Sequence, residues 1–361
     1  MAFGFPFSRK RDVVALDIGS GAIKLVQLKK LAQGYQLEKF GVKALDSELI
    51  VDGTVMDSGQ VVDVIKELLD EQGVRAKDVA LSVSGHSVIV KKINVPMMTE
   101  EELEESIKWE AEQYIPFDIN DVNIDFHILG TSELEEAKDQ MGVLLVAVKR
   151  ERLTEYTTLV TETGLNPVIV DVDAFTLENM FGINYDVGED EIVSLVNIGA
   201  SVMNIIILRG GTFSFTRDIS IGGNRYSEAI QREFNVNFEQ AERAKRGESV
   251  EGIDPESLLN IISGLNEKIA TEVTRSFEYF KTTSSNNEAI DRILMSGGSA
   301  KVPNLLAHLS EKLGLEVEMA DPFSNIEIPE SLFDRNFVQE MGPMSAVGVG
   351  LALRRLEGSS L

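Results

Sequence analysis

The sequence predicts an α/β chain of two duplicated lobes with a smaller insert in the first, and three observations carry that prediction. Two segments 180 residues apart share one pattern of strand, small-residue turn and strand. Stretches of strand period alternate with amphipathic helical stretches in both halves. Between residues 86 and 166 the order changes to strand, helix, strand, strand, helix, a βαββα unit. At 361 residues the chain has room for two domains of roughly 150 residues each.

In chain order, VVALDIGSGAIKLVQL (Val13 to Leu28) sets the pattern that VSLVNIGASVMNIIIL (Val193 to Leu208) repeats without a gap. Asp17 falls on Asn197, Gly19 on Gly199, Ser20 on Ala200 and Gly21 on Ser201. In each copy a glycine turn, Gln33-Gly34 or Gly210-Gly211, leads to a third strand. Asp57 or Ser58 caps a helix whose Val61, Val62, Ile65, Leu68 and Leu69 share one face, and Gly73 ends it. VALSVSG is a short strand and VIVKKINVP another. Thr99 to Glu102 is a capping box opening a helix through Tyr114, with a core stripe of Leu103, Ile107 and Tyr114 beside seven solvated Glu and an off-stripe Trp109. VNIDFHIL and MGVLLVAVKR pair as strands, Arg152 to Glu162 is a helix, and PVIVDVDAFTLENMFG returns to the first lobe. In the second half, short helices at Ser227 to Phe234 and Phe238 to Arg246 precede one long helix from Leu258 to Lys281. The strand RILMSGG and the helix VPNLLAHLSEKLG follow. A final helix, Pro343 to Arg355, carries Gly348 and Gly350 where another backbone can come close. The expected division is 11–85 with 167–190 for the first lobe core and 86–166 for its insert. The second core takes 191–222 with 293–356, and its own insert 223–292.

Composition narrows the function. Lys and Arg total 34 against 59 Asp and Glu, a net charge of −25 that repels nucleic acid and anionic lipid. There is no cysteine, so thiol chemistry, disulfides and iron–sulfur ligation are excluded, and three scattered histidines do not make a His-rich metal site. No apolar run approaches the roughly 18 residues of a membrane span. The opening MAFGFPFSRKR places its basic residues after the apolar ones, the reverse of a secretory signal, so a cytoplasmic protein is expected. Phe3, Phe5 and Phe7 beside Arg9, Lys10 and Arg11 read as a frayed terminus, with a membrane or partner contact as the alternative.

The chemistry-bearing residues cluster at turns. A small-residue hairpin turn can aim backbone N–H groups at one anion, and two such hairpins facing each other would grip a triphosphate. Gly19, Ser20 and Gly21 form the first cradle, with Lys24 as a point charge, and Gly199, Ala200 and Ser201 form the second. Asp17, at a strand end, suits the water shell of Mg²⁺. Asn197 stands where symmetry predicts a second carboxylate. Gly297, Gly298 and Ser299 join a strand to a helix, offering flat backbone to a ring. Glu242 and Lys245, three apart on a helix, can hold ribose hydroxyls. Asp171 and Asp173 alternate along a strand and so point one way, toward the cleft.

Taken in order, ALDIGSGAIKL, VIVDVDAFTL, LVNIGASVMNIIIL, ERAKR, MSGGSAKVPNL and PMSAVGVGLAL resemble the phosphate-1, connect-1, phosphate-2, adenosine-edge, adenosine and connect-2 motifs of the actin, Hsp70 and hexokinase superfamily. The insert resembles that of FtsA and of the PilM family of type IV pilus assembly proteins. RKRDVVALDIGS, INVPMMTEEELEESIKWEAEQYIPFDI and RGGTFSFTRDISIGG are most similar to the PilM family. The resemblance implies a bilobed actin-like (ribonuclease H-like) fold with an FtsA-like insert, binding ATP with Mg²⁺ between its lobes. It further implies a partner, the cytoplasmic N-terminal peptide of a PilN-like inner-membrane protein, together with other pilus platform and motor components, at the inner face of the inner membrane. By the same carry-over Asp17, Gly19, Ser20, Gly21 and Lys24 match phosphate 1, and Gly199, Ala200 and Ser201 phosphate 2. Glu242 and Lys245 match the nucleoside edge, and Gly297, Gly298 and Ser299 the adenosine loop. Asp17 and Asp173 are the candidate catalytic carboxylates. Asn197, an amide where the superfamily has Asp, implies weak or absent hydrolysis. An FtsA-like division scaffold is the alternative, although RRLEGSSL carries no amphipathic membrane helix. A small-molecule kinase is a further one, with only Asp171 or Asp173 to serve as base. Whether the chain forms a homo-oligomer is left open.

Overall fold

The computed structural model describes residues 12–131, 139–284 and 288–354. Phe3, Phe5, Phe7, Arg9, Lys10 and Arg11 lie outside these residues, as does the RLEGSSL end.

The first lobe opens with a meander, β1 (Val13–Ile18), β2 (Ala22–Lys30) and β3 (Tyr35–Ala44). A small hairpin, β4 (Ile50–Val51) and β5 (Thr54–Val55), leads to α1 (Ser58–Glu71) and β6 (Asp78–Val83). The insert opens with β7 (Val88–Pro96), α2 (Glu100–Glu112), β8 (Val122–Thr131) and β9 (Gln140–Lys149); α3 (Arg150–Glu162), expected as the insert's last helix, packs on the first lobe's sheet, and β10 (Asn166–Val172) and α4 (Asp173–Asn184) follow. The second lobe repeats the meander as β11 (Ile192–Ile198), β12 (Met203–Arg209) and β13 (Thr212–Ile219). It continues with α5 (Asn224–Phe234), α6 (Phe238–Lys245), α7 (Pro255–Thr283), β14 (Arg292–Ser296), α8 (Leu305–Leu313) and β15 (Glu316–Met319). Last come β16 (Ile326–Glu327), α9 (Arg335–Met341) and α10 (Ala346–Leu353).

The duplication holds in three dimensions. Five strands of the first sheet run in the order β3-β2-β1-β6-β10, and the second sheet runs β13-β12-β11-β14-β15. Meander pairs are antiparallel and the remaining pairs parallel in both. The register is duplicated too, since Asp17 lies opposite Lys24 and Asn197 opposite Asn204. Every residue of β11 is buried, the run expected of a strand covered on both faces. One face of the first sheet packs on α1, through Val61, Ile65 and Leu68, and on α3, through Tyr156, Leu159 and Val160. The second sheet packs on α7 and α8 through Ile269, Val273, Leu305 and Leu309.

Between the lobes lie α4 and α10, whose Leu177, Phe181, Val349 and Leu353 join one core with residues of both sheets. Their approach is set by Gly350: a Cβ there would sit 1.6 Å from the Thr176 carbonyl oxygen of α4. The small-residue composition of α10 is thus a packing requirement, and all eight of its residues are buried.

In the insert, the capping box at Thr99 and Glu102 forms as expected. The helix it opens is shorter than predicted, ending at Glu112 with Gln113 as its cap, so the third core position is Ala111 and not Tyr114. Tyr114 lies past the helix with the Lys91 ammonium 4.9 Å from its ring centre, and Trp109 is 78% exposed. The insert sheet, ordered β7-β9-β8, covers α2 with one face. The two-residue β16, too short to show a period, pairs Ile326 with Tyr35 and brings the second half of the chain onto the first sheet's edge.

Candidate functional site

Two places gather the candidate residues, and the first is the cleft where the turns of the two lobes meet. The turns after β1 and β11 face each other closely enough that a Cβ on Gly21 would lie 3.0 Å from that of Ala200. Gly19 N–H donates to Ala22 O (3.2 Å) and Gly199 N–H to Val202 O (2.9 Å), each closing its own turn. The amides of Ser20, Gly21, Ala200 and Ser201 take no part in these two bonds. Lys24 is not a free point charge: its Nζ pairs with Asp17 Oδ2 at 3.1 Å. Asn197 Nδ2 donates to Asn204 Oδ1 at 3.0 Å.

Asp171 and Asp173 do not share a direction. The strand ends at Val172 and Asp173 begins α4, which breaks the alternation that sequence suggested. Asp173 stays on the cleft side, where burial, aided by the negative charge of Asp17, pushes its carboxyl up to about 7 while the Ser82 and Ser84 hydroxyls pull the other way. Asp171 instead pairs with Arg354 Nε at 2.5 Å, with its pKa raised by burial against the pull of that guanidinium. Asp171 is thereby removed as a cleft base.

The residues expected at a nucleoside edge are joined to one another by hydrogen bonds. Lys245 Nζ lies 2.5 Å from Glu242 Oε1, as their spacing on α6 predicts, and also donates to Ser227 Oγ (3.3 Å) and Gly223 O (3.4 Å). Burial lowers the Lys245 pKa, and Glu242 opposes that shift. Ser227 Oγ in turn donates to Glu242. Ser299 Oγ donates to Gly199 O at 2.9 Å, tying the loop after β14 to the second turn. Gly297 adopts φ +89°, and a Cβ there would lie 2.3 Å from Ile198 O, whereas a Cβ on Gly298 would meet only the Met344 side chain, at 3.5 Å. Gly297 shapes the loop and Gly298 leaves its surface open. Sequence reasoning missed Asn204, Asp218 and the turn at Gly222-Gly223, where the Gly223 N–H donates to Gly199 O (3.0 Å) and the Asn224 N–H to Ala200 O (2.8 Å). The duplication could have found Asn204, which stands opposite Asn197 as Lys24 does opposite Asp17.

For a divalent cation, no group of three or more His, Asp or Glu side chains among the described residues is arranged to hold one. With Lys24 neutralising Asp17, the donor set fits a cation held through its waters and through phosphate oxygens, not a cage of protein ligands.

The second site is a groove of about 820 Å³ between the insert and the first lobe. One wall is Asn123 to His127 of β8, the other Ile169 to Val172 of β10, and the floor includes Val146, Leu153, Phe175 and the Asp171–Arg354 pair. Both walls are outer strands of their sheets, each with one edge not paired to another strand. Val168 and Val170 of β10 are 39% and 37% exposed.

The family model described as type IV pilus assembly protein PilM matches residues 15–356. A chain of the solved PilM-PilN type IV pilus biogenesis complex is similar at TM-score 0.84 and 29% identity, covering 96% of this chain and 98% of that one. The cell division protein FtsA of Bacillus subtilis (strain 168) is 22% identical over 94% of this chain and 82% of its own length. MreB5 of Spiroplasma citri, solved bound to AMPPNP, shares the fold at TM-score 0.53 and 14% identity, with 98% of this chain and 97% of that one covered.

Proposed function

This chain belongs to the family of type IV pilus assembly protein PilM, and from that premise we propose that it docks an extended peptide of a membrane protein while holding ATP between its lobes. The peptide is the cytoplasmic N-terminal segment of a PilN-like inner-membrane protein, and its seat is the groove between β8 and β10. The observation that carries this reading is that two outer strands face one groove whose floor joins Val146, Leu153 and Phe175 to the Asp171–Arg354 pair. A strand laid there gains main-chain hydrogen bonds from an edge, while its alternate side chains enter the floor. The likeness to a chain solved in a PilM-PilN complex supports the choice of partner.

Attachment to the membrane then comes through that partner. No helix among the described residues is long and apolar enough to cross a membrane, and a net charge of −25 opposes direct binding to anionic lipid. The protein works at the cytoplasmic face of the inner membrane, where it links the pilus platform to motor components.

In the cleft, the facing turns bind phosphates through backbone amides, Gly298 lies against the base, and Glu242 and Lys245 meet the ribose. Mg²⁺ bound with ATP would neutralise phosphate charge, and Asp17 and Asp173 are the carboxylates that would face its waters. Hydrolysis is slow, because Asn197 cannot accept a proton from water as a carboxylate does. Nucleotide and groove communicate through the 171–173 junction, whose Asp171 lines the groove and whose Asp173 lines the cleft.

The test is a fluorescence-anisotropy titration with a labelled peptide of the partner's cytoplasmic N-terminus. Val170→Asp, at an exposed groove position, should weaken binding at least tenfold while leaving binding of a fluorescent ATP analogue intact. Unchanged peptide affinity in a folded Val170→Asp variant would overturn the groove assignment.

A further inference from the structure

Asn197 is a link in a chain of hydrogen bonds that crosses the cleft. Ser296 Oγ donates to Asn197 Oδ1 (3.2 Å), Asn197 Nδ2 to Asn204 Oδ1 (3.0 Å) and Asn204 Nδ2 to Asp218 Oδ1 (2.8 Å). The other oxygen of Asp218 accepts the Gly85 N–H at 2.6 Å. The direction follows from the partners: Asp218 Oδ2 accepts the Gly85 N–H and Oδ1 the Asn204 NH₂, so the Asn204 carbonyl faces Asn197, which must then donate. Ser296, Asn197 and Asn204 are buried, where a broken link leaves an unmet polar group.

The ends of the chain give it meaning. Ser296 is the last residue of β14 and is followed directly by Gly297 and Gly298. Gly85 belongs to the other lobe, in the turn between β6 and β7, where the insert begins. In the same turn Ser87 O accepts the Lys149 N–H at the end of β9 (3.0 Å). A carboxylate of the second lobe thus holds the backbone from which the insert sheet springs.

We propose that Asp218 is a latch closing the two lobes through Gly85, and that Asn197 and Asn204 are positioning residues that tie this latch to the loop after β14. The tie to nucleotide rests on the reading of the cleft given above, whereas the latch itself does not. The amide at 197 is required by this arrangement. Asn197→Asp would restore the symmetry of the two lobes but remove the donor that Asn204 Oδ1 accepts from, leaving that carbonyl facing a carboxylate.

The absence of cysteine allows a direct test. Asp63→Cys on α1 and Glu311→Cys on α8, both exposed, carry one spin label on each lobe, and pulsed dipolar spectroscopy reads the distance distribution. Measured first without nucleotide, the labelled parent should give a narrow distribution, and Asp218→Ala and Asn197→Asp a broader one extending to longer distances. Asp218→Asn, which keeps the shape and one acceptor oxygen, should fall between and serves if Asp218→Ala does not fold. Asn197→Asp should also bind a fluorescent ATP analogue at least tenfold more weakly than the parent. Distributions unchanged in folded Asn197→Asp and Asp218→Asn proteins would overturn the latch. Failure of the parent itself to bind the analogue would overturn the nucleotide reading instead, a result separate from the label distances.

Discussion

Lys24 and Asp17 form an ion pair of 3.1 Å across β1 and β2, in the register position that Asn204 and Asn197 occupy in the other lobe. The backbone is duplicated but the charges are not. Both charged side chains are mostly withdrawn from solvent, so removing one leaves the other uncompensated. Lys24→Asn should cost about 2 kcal/mol in urea unfolding. Adding Asp17→Asn to it, which recreates the amide pair of the second lobe, should recover most of that loss, the positive coupling expected of residues in contact.

Asp173 makes stability depend on pH in a definite direction. A carboxyl whose folded pKa is raised to about 7, from an ordinary 3.8, contributes fully below the lower value and loses that contribution as pH rises through the upper one. The folded wild type should therefore weaken between roughly pH 4 and 7 relative to Asp173→Asn. Melting temperatures of the two proteins should diverge across that window, with the variant higher above it. Asp171 and Asp218, also raised by burial, act in the same sense but are common to both proteins and drop out of the difference.

The contact of α4 with α10 predicts a sharp contrast between two glycines. Gly350→Ala puts a methyl carbon against the Thr176 carbonyl, a rigid backbone group, and should cost about 3 kcal/mol by forcing the helices apart. Gly182→Ala, on α4, meets nothing within 4 Å and should be neutral or add up to about 1 kcal/mol through helix propensity. Chemical denaturation of the two variants compares them directly.

The loop after β14 separates folding from binding. Gly298→Leu should abolish binding of a labelled ATP analogue while leaving the melting temperature nearly unchanged, because Gly298 is exposed and a Cβ there meets only the Met344 side chain. Gly297→Ala should unfold more readily, since both its φ and its contact with the Ile198 backbone exclude a Cβ.

What was legible in the sequence follows from what is local. Strand–turn–strand repeats, the Thr99 capping box and the Glu242–Lys245 spacing are short-range patterns, and each formed as read. Strand alternation puts Asp171 and Asp173 on one side, but the strand ends at Val172 and α4 begins at Asp173 without a side-chain cap to announce it. Lys24 reads as a free point charge because sequence shows its neighbours along the chain and not Asp17 opposite it across the hairpin. The relay through Asn204 and Asp218, and the pairing of β16 with β3, join residues far apart in the chain and carry no periodic signal.

Hydrogen exchange of the wild-type protein, with and without the cytoplasmic N-terminal peptide of a PilN-like partner, tests the central claim most directly. The account predicts slowed exchange at the outer edges of β8 and β10, over residues 122–128 and 166–172, where an added strand would capture free backbone amides. Binding with unchanged exchange at both edges, and protection confined to the exposed face of α2 around Trp109, would contradict it.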